Sequence, residues 1–460
     1  MTRKKRIRRS VPAELPSQLR NWLDENNIEE IEAVVPDMAG VAKGKILPAK
    51  KYQDDVGLRL PETIFAQTVD GNYPTQWDVL GDTDSDIFLK PDPGTVRQVP
   101  FAEDPSAVII HDCFYLDGAP VDIAPRQVLR RVLDLYEARG WNPVVAPEVE
   151  FYLVKPNTDP DYPLEPPVGR SGRAESGRQA FSVDAVNEFD PLFEDLYDYC
   201  EIQEIGIETL IHESGAAQME INLLHGNPMD LADQVFLFKR GLREVAMRHK
   251  IYATFMAAPM EGEPGSAMHV HQSVVDAGSG RNIFSNTRGN ESRLFRWHIG
   301  GMQKYLPDAM ALIAPNVNSY RRLAPDKWGT PINTAWGYDN RTAGLRVPVS
   351  TPQARRVENR IAGADVNPYL ALAASLACGY LGMVEQIKPS PPVSTNAYGA
   401  ESQLPHTLRE AVDGLLECEP LREILGERFV RLYASIKHHE YDTFLNVISA
   451  WEREHLLLNV

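Results

Sequence analysis

Four short segments that alternate apolar and polar residues constrain this 460-residue chain more than any other feature. In the segment 143–154 (PVVAPEVEFYLV), Glu148 and Glu150 alternate with apolar residues. Because successive side chains of a strand point to opposite faces, this period predicts a β-strand with both carboxylates on one face, about 6.6 Å apart. One such face is most often the solvated side of an antiparallel sheet, so this segment alone does not indicate a site.

Three further segments repeat the alternation, and their polar faces carry carboxylates, imidazoles and guanidinium groups with almost no lysine. These faces consist of Gln218, Glu220 and Asn222 in 216–224, with Glu213 just upstream; His269, His271 and Ser273 in 267–274; and Arg356, Glu358 and Arg360 in 355–362. Converging carboxylates must be neutralised, and hard divalent cations do this with oxygen ligands. Interleaved arginines suit phosphoryl oxygens. Together the four segments predict a site for divalent metal ions and phosphate.

A glycine-bearing segment, 262–271 (GEPGSAMHVH), leads into the third of these strands. Gly262 and Gly265 would let the backbone approach a ligand closely. The segment matches neither the Walker nor the dinucleotide-binding fingerprint. It therefore predicts a close approach of the backbone to a ligand but does not indicate which ligand.

Composition and charge narrow the class of protein. The chain has 47 lysine and arginine residues against 64 aspartate and glutamate residues, a formal charge of −17. This balance argues against a nucleic-acid-binding protein, which needs a basic footprint. Residues 1–12, although basic, are predicted to be a flexible solvated tail rather than a binding arm. The four cysteines form no CxxC pair, which indicates neither a disulfide framework nor a zinc site and favours the cytoplasm.

One uncharged stretch, 366–384, is long enough to raise the question of a membrane span. It is rich in alanine and glycine, whereas a spanning helix would be richer in leucine, isoleucine and phenylalanine. We predict a buried helix instead, with Asn367 as its N-cap and Pro368 in its first turn, and no association with a membrane.

The order of the elements predicts an α+β protein. A helix and several short strands form a small unit that ends near Pro120, and 107–116 (AVIIHDCFYL) is its last strand. A helix over 125–139, closed by Gly140, opens a larger unit that contains the four alternating segments. From residue 405 onward the chain is predicted to be helical.

Six motifs of the larger unit resemble the successive signatures of the glutamine synthetase family. They are PEVEFYLV, HESGAAQMEI, GSAMHVHQS, NSYRRLAP, DNRTAGLRVP and RVENRIAGADVNPYLALA, in the family's order over about 140–385. The resemblance implies an N-terminal β-grasp domain at 13–120. It also implies a large catalytic domain at 121–460, in which antiparallel strands line a funnel flanked by helices. It further implies a homo-oligomer of stacked rings, a dodecamer, with each site between neighbouring subunits.

The same resemblance implies an ATP-dependent ligase that uses Mg²⁺ or Mn²⁺, with ATP as co-substrate. ATP would phosphorylate the γ-carboxylate of glutamate, and a nitrogen nucleophile would then displace phosphate to give an amide. Carried over motif by motif, the roles are these: Glu150, Glu213 and Glu220 hold one metal; Glu148, His269 and Glu358 hold the other; His271, Ser273 and, more loosely, Glu208 meet the nucleotide; Arg341 and Arg346 bind its phosphates; Gly265 and Arg322 bind the acid substrate; and Arg360 steadies the phosphoryl group in transfer.

Two of these arginines raise a question of local geometry. Arg341 and Arg346 are five residues apart, so on a regular strand they would face opposite ways. Gly344 lies between them and would allow a β-bulge that turns both to one side.

The sequence departs from the ammonia-using members at two loops. Their flap PGYEAP is PDKWGTP here (325–331), and Trp328 stands where their glutamate falls; their latch FDGSS becomes VDGNYPT (69–75), which keeps Asp70. An indole offers an apolar wall and a face for a cation, although it would equally serve to pack the flap. The missing glutamate favours a γ-glutamylpolyamine or γ-glutamyl-amine synthetase with a nucleophile such as putrescine. Asp70 is then the candidate to orient or deprotonate the amine.

Other interpretations remain open. Pro264 replaces an asparagine that contacts glutamate in the family, so the acid substrate is less firmly indicated than the amine. A glutamine synthetase that uses ammonia is the nearest alternative. Tyr398 is only a loose counterpart of the tyrosine that some members adenylylate. A non-catalytic structural relative should have lost metal ligands, and all six are present.

Overall fold

Two β-sheets with helices packed around them make up the described part of the chain. The computed structural model describes residues 15–54, 57–74, 80, 83–324, 329–398 and 404–460. The predicted basic tail, residues 1–12, lies outside them.

The first sheet has six strands in the order β2-β1-β6-β4-β3, with β5 paired to β6. Its strands are β1 (Glu30–Pro36), β2 (Ala42–Pro48), β3 (Arg59–Pro61), β4 (Asp86–Pro91), β5 (Arg97–Gln98) and β6 (Ser106–Phe114), accompanied by helices α1 (Ser17–Glu25) and α2 (Ala49–Asp54). Strand β6 is central because its apolar run is buried on both faces. It pairs parallel with β1 and antiparallel with β4.

The second sheet has eight strands in the order β12-β13-β14-β11-β7-β9-β8, with β10 paired to β7. Its strands are β7 (Trp141–Val154), β8 (Ile207–His212), β9 (Gln218–Leu223), β10 (Tyr252–Thr254), β11 (Met268–Asp276), β12 (Trp336–Tyr338), β13 (Leu345–Val347) and β14 (Val357–Asn359). Most of its pairings are antiparallel, including β7 with β11, β9 and β10. The long strand β7 therefore holds the middle of the sheet together.

Eleven helices of the described residues follow the first sheet in the chain, and most of them pack around this second sheet, whereas α13 buries no residue. They are α3 (Pro125–Glu137), α4 (Val183–Asn187), α5 (Asp190–Ile202), α6 (Pro228–Arg248), α7 (Arg293–Ile313), α8 (Ser319–Arg322), α9 (Pro368–Glu385), α10 (Leu408–Glu417), α11 (Glu419–Leu425), α12 (Glu427–Leu445) and α13 (Ala450–Leu456). The last four agree with the predicted helical C-terminal region.

Helix α9 is the helix predicted from the uncharged stretch, and it is buried in the protein: 89% of its most apolar window is covered. The side chain of Asn367 caps it by accepting from the backbone N–H groups of Tyr369 and Leu370. Glycines explain its composition. A Cβ on Gly301 of α7 would lie 2.4 Å from the Cα of Gly382, so two glycines let α7 and α9 meet backbone to backbone.

A buried ionic cluster joins the two sheets. The guanidinium of Arg126, at the start of α3, donates two hydrogen bonds to Asp233 of α6, at 3.0 and 2.7 Å. It also donates to Asp92, which directly follows β4, and to Asp112 of β6, both at 2.8 Å. Because these donors and acceptors satisfy one another, the cluster fixes how the sheets meet. The predicted α+β class is confirmed. The domain boundary at 120/121 stays a prediction, and the two sheets lie on either side of it.

Candidate active site

Strand register brings the polar faces of the four alternating segments together. His269 of β11 lies opposite Glu148 of β7. On the other side of β7, Glu220 of β9 lies opposite Glu150. His271 of β11 is also the partner of Glu358 in β14. Directly opposed residues have Cβ atoms about 5 Å apart, so the side chains of β7, β9, β11 and β14 converge on one face. The structure thereby joins segments that are far apart in the sequence.

Three overlapping groups of carboxylate and imidazole ligands form where these strands meet. They are Glu150, Glu213 and Glu220; Glu148, Glu220 and His269; and Glu148, His271 and Glu358, with the ligand atoms of each group within 4.8 Å of one another. The first group is the set predicted for one metal. For the other predicted set, Nδ1 of His269 lies 3.2 Å from Glu148 and 4.0 Å from Glu358. The structure adds His271, expected to meet the nucleotide, to the same carboxylates.

The electrostatics of this cluster indicate that it is built for cations. Burial, together with the Glu213 carboxylate, raises the pKa of Glu150 to about 8. Burial and the neighbouring glutamates also raise the pKa of Glu220 well above its usual value. Burial lowers the pKa of His269 to about 4, so its imidazole is neutral and able to coordinate a metal. A surplus of buried carboxylates beside a neutral imidazole fits hard divalent ions such as Mg²⁺ or Mn²⁺.

Two cavities lie on either side of the cluster, and Glu148 and Asn222 line both. The first, which we call the histidine-side cavity, has a volume of about 450 Å³. Its lining includes Glu208, His225, His271, Ser273 and Arg356. The second, the arginine-side cavity, has a volume of about 370 Å³ and is lined by Gly265, Arg322, Arg341, Arg346 and Arg360, among others. The cluster therefore separates a site for one ligand from a site for another.

Arg322 is buried at the floor of the arginine-side cavity. Its guanidinium donates to the carbonyls of Ile361, at 2.7 Å, and Arg360, at 3.1 Å. Burial lowers its pKa to about 10, so it remains charged at neutral pH. Gly265 lies against it: a Cβ there would come within 2.5 Å of Arg322 Cγ and 2.6 Å of the Ala257 carbonyl. The glycine is needed because Arg322 occupies the space that a side chain would fill.

The expected bulge at Gly344 is wrong. Strand β13 begins only at Leu345, and Arg341 lies in the preceding turn. In that turn the side chain of Asn340 accepts from the N–H of Thr342, at 3.0 Å. The turn reverses the chain, so Arg341 reaches the same cavity as Arg346 without a distorted strand. Both line the arginine-side cavity, not the histidine-side cavity where other predicted nucleotide contacts lie.

Two arginines bind the buried carboxylate of Glu358. Arg346 donates to it at 2.8 Å, and Arg360 forms the second contact. Burial alone would raise the pKa of Glu358, but the positive charges around it, with that of Arg360 the largest, together outweigh burial and hold the pKa at about 2. Glu358 therefore stays ionised, and it orients both guanidinium groups at the edge of the cluster.

One predicted residue, Asp70, is not brought to this site within its own chain. Asp70 lines neither cavity. It is exposed, accepts from Thr68 and Asn72 of its own loop, and lies beside Val69, whose N–H donates to Glu440. Trp328 and the rest of 325–328 lie outside the described residues. Thr330, two residues later, lines the arginine-side cavity.

Sequence reasoning assigned no individual site role to several residues that the structure places at the site. Arg356 donates through Nε to Nδ1 of His271, at 3.2 Å, and so orients that ring. The sequence signal for Arg356 was its place in the alternating segment 355–362. Phe181 and Tyr398 line the arginine-side cavity. Neither belongs to a periodic segment, so no pattern pointed to Phe181, and Tyr398 was noted only as a possible modification site.

Comparisons with known proteins identify the family. Residues 122–456 match the glutamine synthetase catalytic domain. The chain is 35% identical to γ-glutamylputrescine synthetase PuuA of Escherichia coli K12, covering 94% of this chain and 92% of that one. It is 33% identical to a glutamate–isopropylamine ligase of a Pseudomonas species, covering 95% and 96%. A solved GmaS–ADP complex superposes with a TM-score of 0.82 at 27% identity, covering 95% and 99%.

The chain belongs to the glutamine synthetase family. This confirms the resemblance drawn from the six motifs, including the likeness to γ-glutamylpolyamine synthetases. It also confirms the predicted class of enzyme, an ATP-dependent carbon–nitrogen ligase. The family binds ATP and divalent metals, in agreement with the ligand groups found here.

Proposed function

We propose that this enzyme joins an alkyl amine or polyamine, such as putrescine, to the γ-carboxylate of glutamate through γ-glutamyl phosphate, with release of ADP and phosphate. One observation carries the proposal: a single cluster of metal-ligating carboxylates separates two cavities, one of which is lined by four arginines. A phosphoryl group passing between two ligands would cross this cluster.

Each cavity has a chemistry suited to one substrate. ATP would occupy the histidine-side cavity, near Glu208, His271 and Ser273, and direct its γ-phosphate toward the cluster. Glutamate would occupy the arginine-side cavity. Its α-carboxylate would bind Arg322, and the molecule would lie against the protein backbone at Gly265. Mg²⁺ or Mn²⁺ held by the six predicted ligands would neutralise the phosphate oxygens. Arg341 and Arg346 then meet the phosphates from the glutamate side, and Arg360 stabilises the phosphoryl group in transfer.

Two observations favour an amine over ammonia as the nucleophile: one concerns the sequence of the flap, and the other the names of similar proteins. The flap carries Trp328 in place of the glutamate of ammonia-using members. The two curated relatives reported above are named for putrescine and isopropylamine. The amine nitrogen attacks the carbonyl carbon of the acyl phosphate, phosphate leaves, and the nitrogen gives up a proton. A general base is needed for that proton.

Asp70 is proposed as this base or as the group that orients the amine, acting in the site of a neighbouring subunit. Its exposed loop lines neither cavity of its own chain, so a catalytic role requires a ring in which adjacent subunits share sites. We propose such an assembly, a dodecamer of two stacked rings, for this chain. Asp70→Asn should then lower kcat with amines while ATP binding is unchanged.

The proposal is tested by phosphate release with glutamate, ATP and Mg²⁺. The nucleophiles to compare are ammonium, methylamine, ethanolamine, putrescine and spermidine at equal concentration. We expect at least one amine to exceed ammonium clearly, and Arg360→Gln to abolish release with all of them. The exposed Arg288→Gln serves as the matched control and should behave as the wild type. Release with ammonium alone would contradict the proposal.

A further inference from the structure

Phe181 has an unusual backbone conformation and an unusually exposed side chain. Its φ is +65°, in the left-handed region that bulky side chains rarely adopt. Its side chain is 69% exposed, although it is large and apolar. Such conformations cost free energy and persist only where the surroundings impose them, most often at functional sites.

Contacts with strand β8 impose this conformation. The backbone N–H of Phe181 donates to the carbonyl of His212 at 2.9 Å. The buried imidazole of His212 contacts the Glu175 carboxylate at 3.0 Å, and Glu175 also accepts from the N–H of Ala217 at 2.8 Å. The loop 175–181 is therefore held at both ends, by the contacts of Glu175 and of Phe181. These contacts lie next to the end of β8, where Glu213 follows. Phe181 is held in register with that metal-ligating carboxylate.

Phe181 lies at the cavity that contains the proposed reaction site. It lines the arginine-side cavity together with Glu213, Thr209 and Tyr398. An aromatic face at an exposed edge, beside a carboxylate, is suited to a group that has both an alkyl chain and a positive charge. Ammonium, which has no alkyl part, would gain much less from such a surface.

We propose that Phe181 determines amine specificity: its ring contacts the alkyl chain of the incoming amine at the entrance to the arginine-side cavity. This inference rests on the proposed function, because it assigns the substrate contact within the same site. Phe181 does not act on reacting atoms; it selects the nucleophile that reaches them.

The test is the ratio of kcat/KM for putrescine to kcat/KM for ammonium, measured with the full-length enzyme. Phe181→Ala should lower this ratio about tenfold, the effect of losing the apolar area that the ring and the alkyl chain would bury against each other. The loss should appear in the amine KM, because the ring would contact the amine equally before and during reaction. Val183→Ala is the matched control: Val183 is 72% exposed on the same segment, and the ratio should not change. An unchanged ratio in Phe181→Ala would overturn the proposal.

A second variant separates specificity from folding. Glycine adopts positive φ without strain, so Phe181→Gly should raise the melting temperature while lowering the same ratio. A lower melting temperature with an unchanged ratio would mean that Phe181 has a structural role only. A smaller assembly on size-exclusion chromatography, with equal losses for both nucleophiles, would make it an interface residue and would also overturn the proposal.

The two proposals fail in different ways. If the wild type uses ammonium better than every amine, the proposed function fails whatever Phe181 does. If the wild type prefers amines and Phe181→Ala keeps that preference, only the inference about Phe181 fails.

Discussion

At the scale of single residues, the buried glutamates of the cluster pose an energetic problem. Glu150, Glu220 and Glu358 are nearly inaccessible to solvent, and Glu148 and Glu213 adjoin them. Buried like charges repel one another strongly because little water screens them. Two arginines compensate Glu358, but the Glu150, Glu213 and Glu220 group has no comparable direct ion pair among the described residues. Divalent cations are the simplest source of the missing positive charge.

This gives a prediction for metal removal. Glu220→Gln should lose the rise in melting temperature that Mn²⁺ gives the wild type, because binding to the folded state stabilises it by mass action. Without metal, the variant should be at least as stable as the wild type, since the cost of burying that carboxyl group among other glutamates is gone. Thermal unfolding with Mn²⁺ and with chelator checks both statements. The exposed Glu201→Gln is the control and should keep the full metal response. A metal response retained in Glu220→Gln would contradict this account of the cluster.

Lys239 is a second buried charge, remote from the cavities. Its ammonium group donates to the carbonyls of Ala364, at 2.6 Å, and Val366, at 2.8 Å. Burial lowers its pKa to about 7 from an ordinary value of 10.5. Between these two values the unfolded chain binds a proton at Lys239 that the folded protein does not.

The stability contributed by Lys239 should therefore rise with pH from about 7 to about 10, by at most about 1.4 kcal/mol per pH unit. Below pH 7 both states are protonated, and the full cost of burying the charge remains. Urea unfolding of wild type and Lys239→Met at pH 7, 8 and 9 measures this. The difference in free energy of unfolding, wild type minus variant, should increase with pH. A difference that stays constant would mean that the folded protein keeps the proton.

At the scale of elements, the N-cap of α9 links the two sheets. Asn367 accepts from two N–H groups of the helix, and its Nδ2 donates to the carbonyl of Asp37, at 2.8 Å, just after β1. One side chain thus begins the central helix and fastens the turn between β1 and β2 to it.

Asn367→Ala should lower the free energy of unfolding by about 2 kcal/mol, the upper end for an N-cap, because a buried partner is lost as well. Ser449→Ala is the control. It removes the N-cap of the exposed α13, where Ser449 and Glu452 form a capping box. Because α13 buries no residues, this loss should hardly change global unfolding. Equal effects of the two variants in urea denaturation would show that the contact with Asp37 contributes nothing.

Local patterns predicted the elements whose structure is dictated locally. The alternation in β7, β9 and β11 fixed which residues share a face, and the alanine- and glycine-rich stretch with Asn367 predicted α9. In β14 only Val357–Asn359 is strand. Of the polar residues predicted for one face, Arg356 lines the histidine-side cavity and Arg360 lines the arginine-side cavity.

The failures have a common physical cause. The bulge at Gly344 was expected because Arg341 and Arg346 were compared on one regular strand. Asp339 and Asn340 are turn formers, however, and Asn340 makes the side-chain bond of such a turn. Phe181 reaches the arginine-side cavity through long-range contacts with His212, which no local pattern reports. Loops are positioned by what they pack against, so their contribution to the site appears only in three dimensions.

At the scale of the whole molecule, the surplus of acidic charge has two parts. Five glutamates of the total belong to the ligand groups and are not free surface charge. The remaining excess of the −17 background would attract cationic amines over a longer range and raise their local concentration. The molecule thus combines a buried site for metals and phosphate with an acidic surface that favours a positively charged second substrate.

The most direct test of the central claim is a competition between nucleophiles. The enzyme, with glutamate, ATP and Mg²⁺, is given ammonium and putrescine at equal, limiting concentrations, and the two amide products are quantified by mass spectrometry. Their ratio equals the ratio of kcat/KM values. We expect γ-glutamylputrescine to dominate, and Phe181→Ala, but not Val183→Ala, to shift the ratio toward glutamine. Glutamine as the main product of the wild-type enzyme would contradict the account.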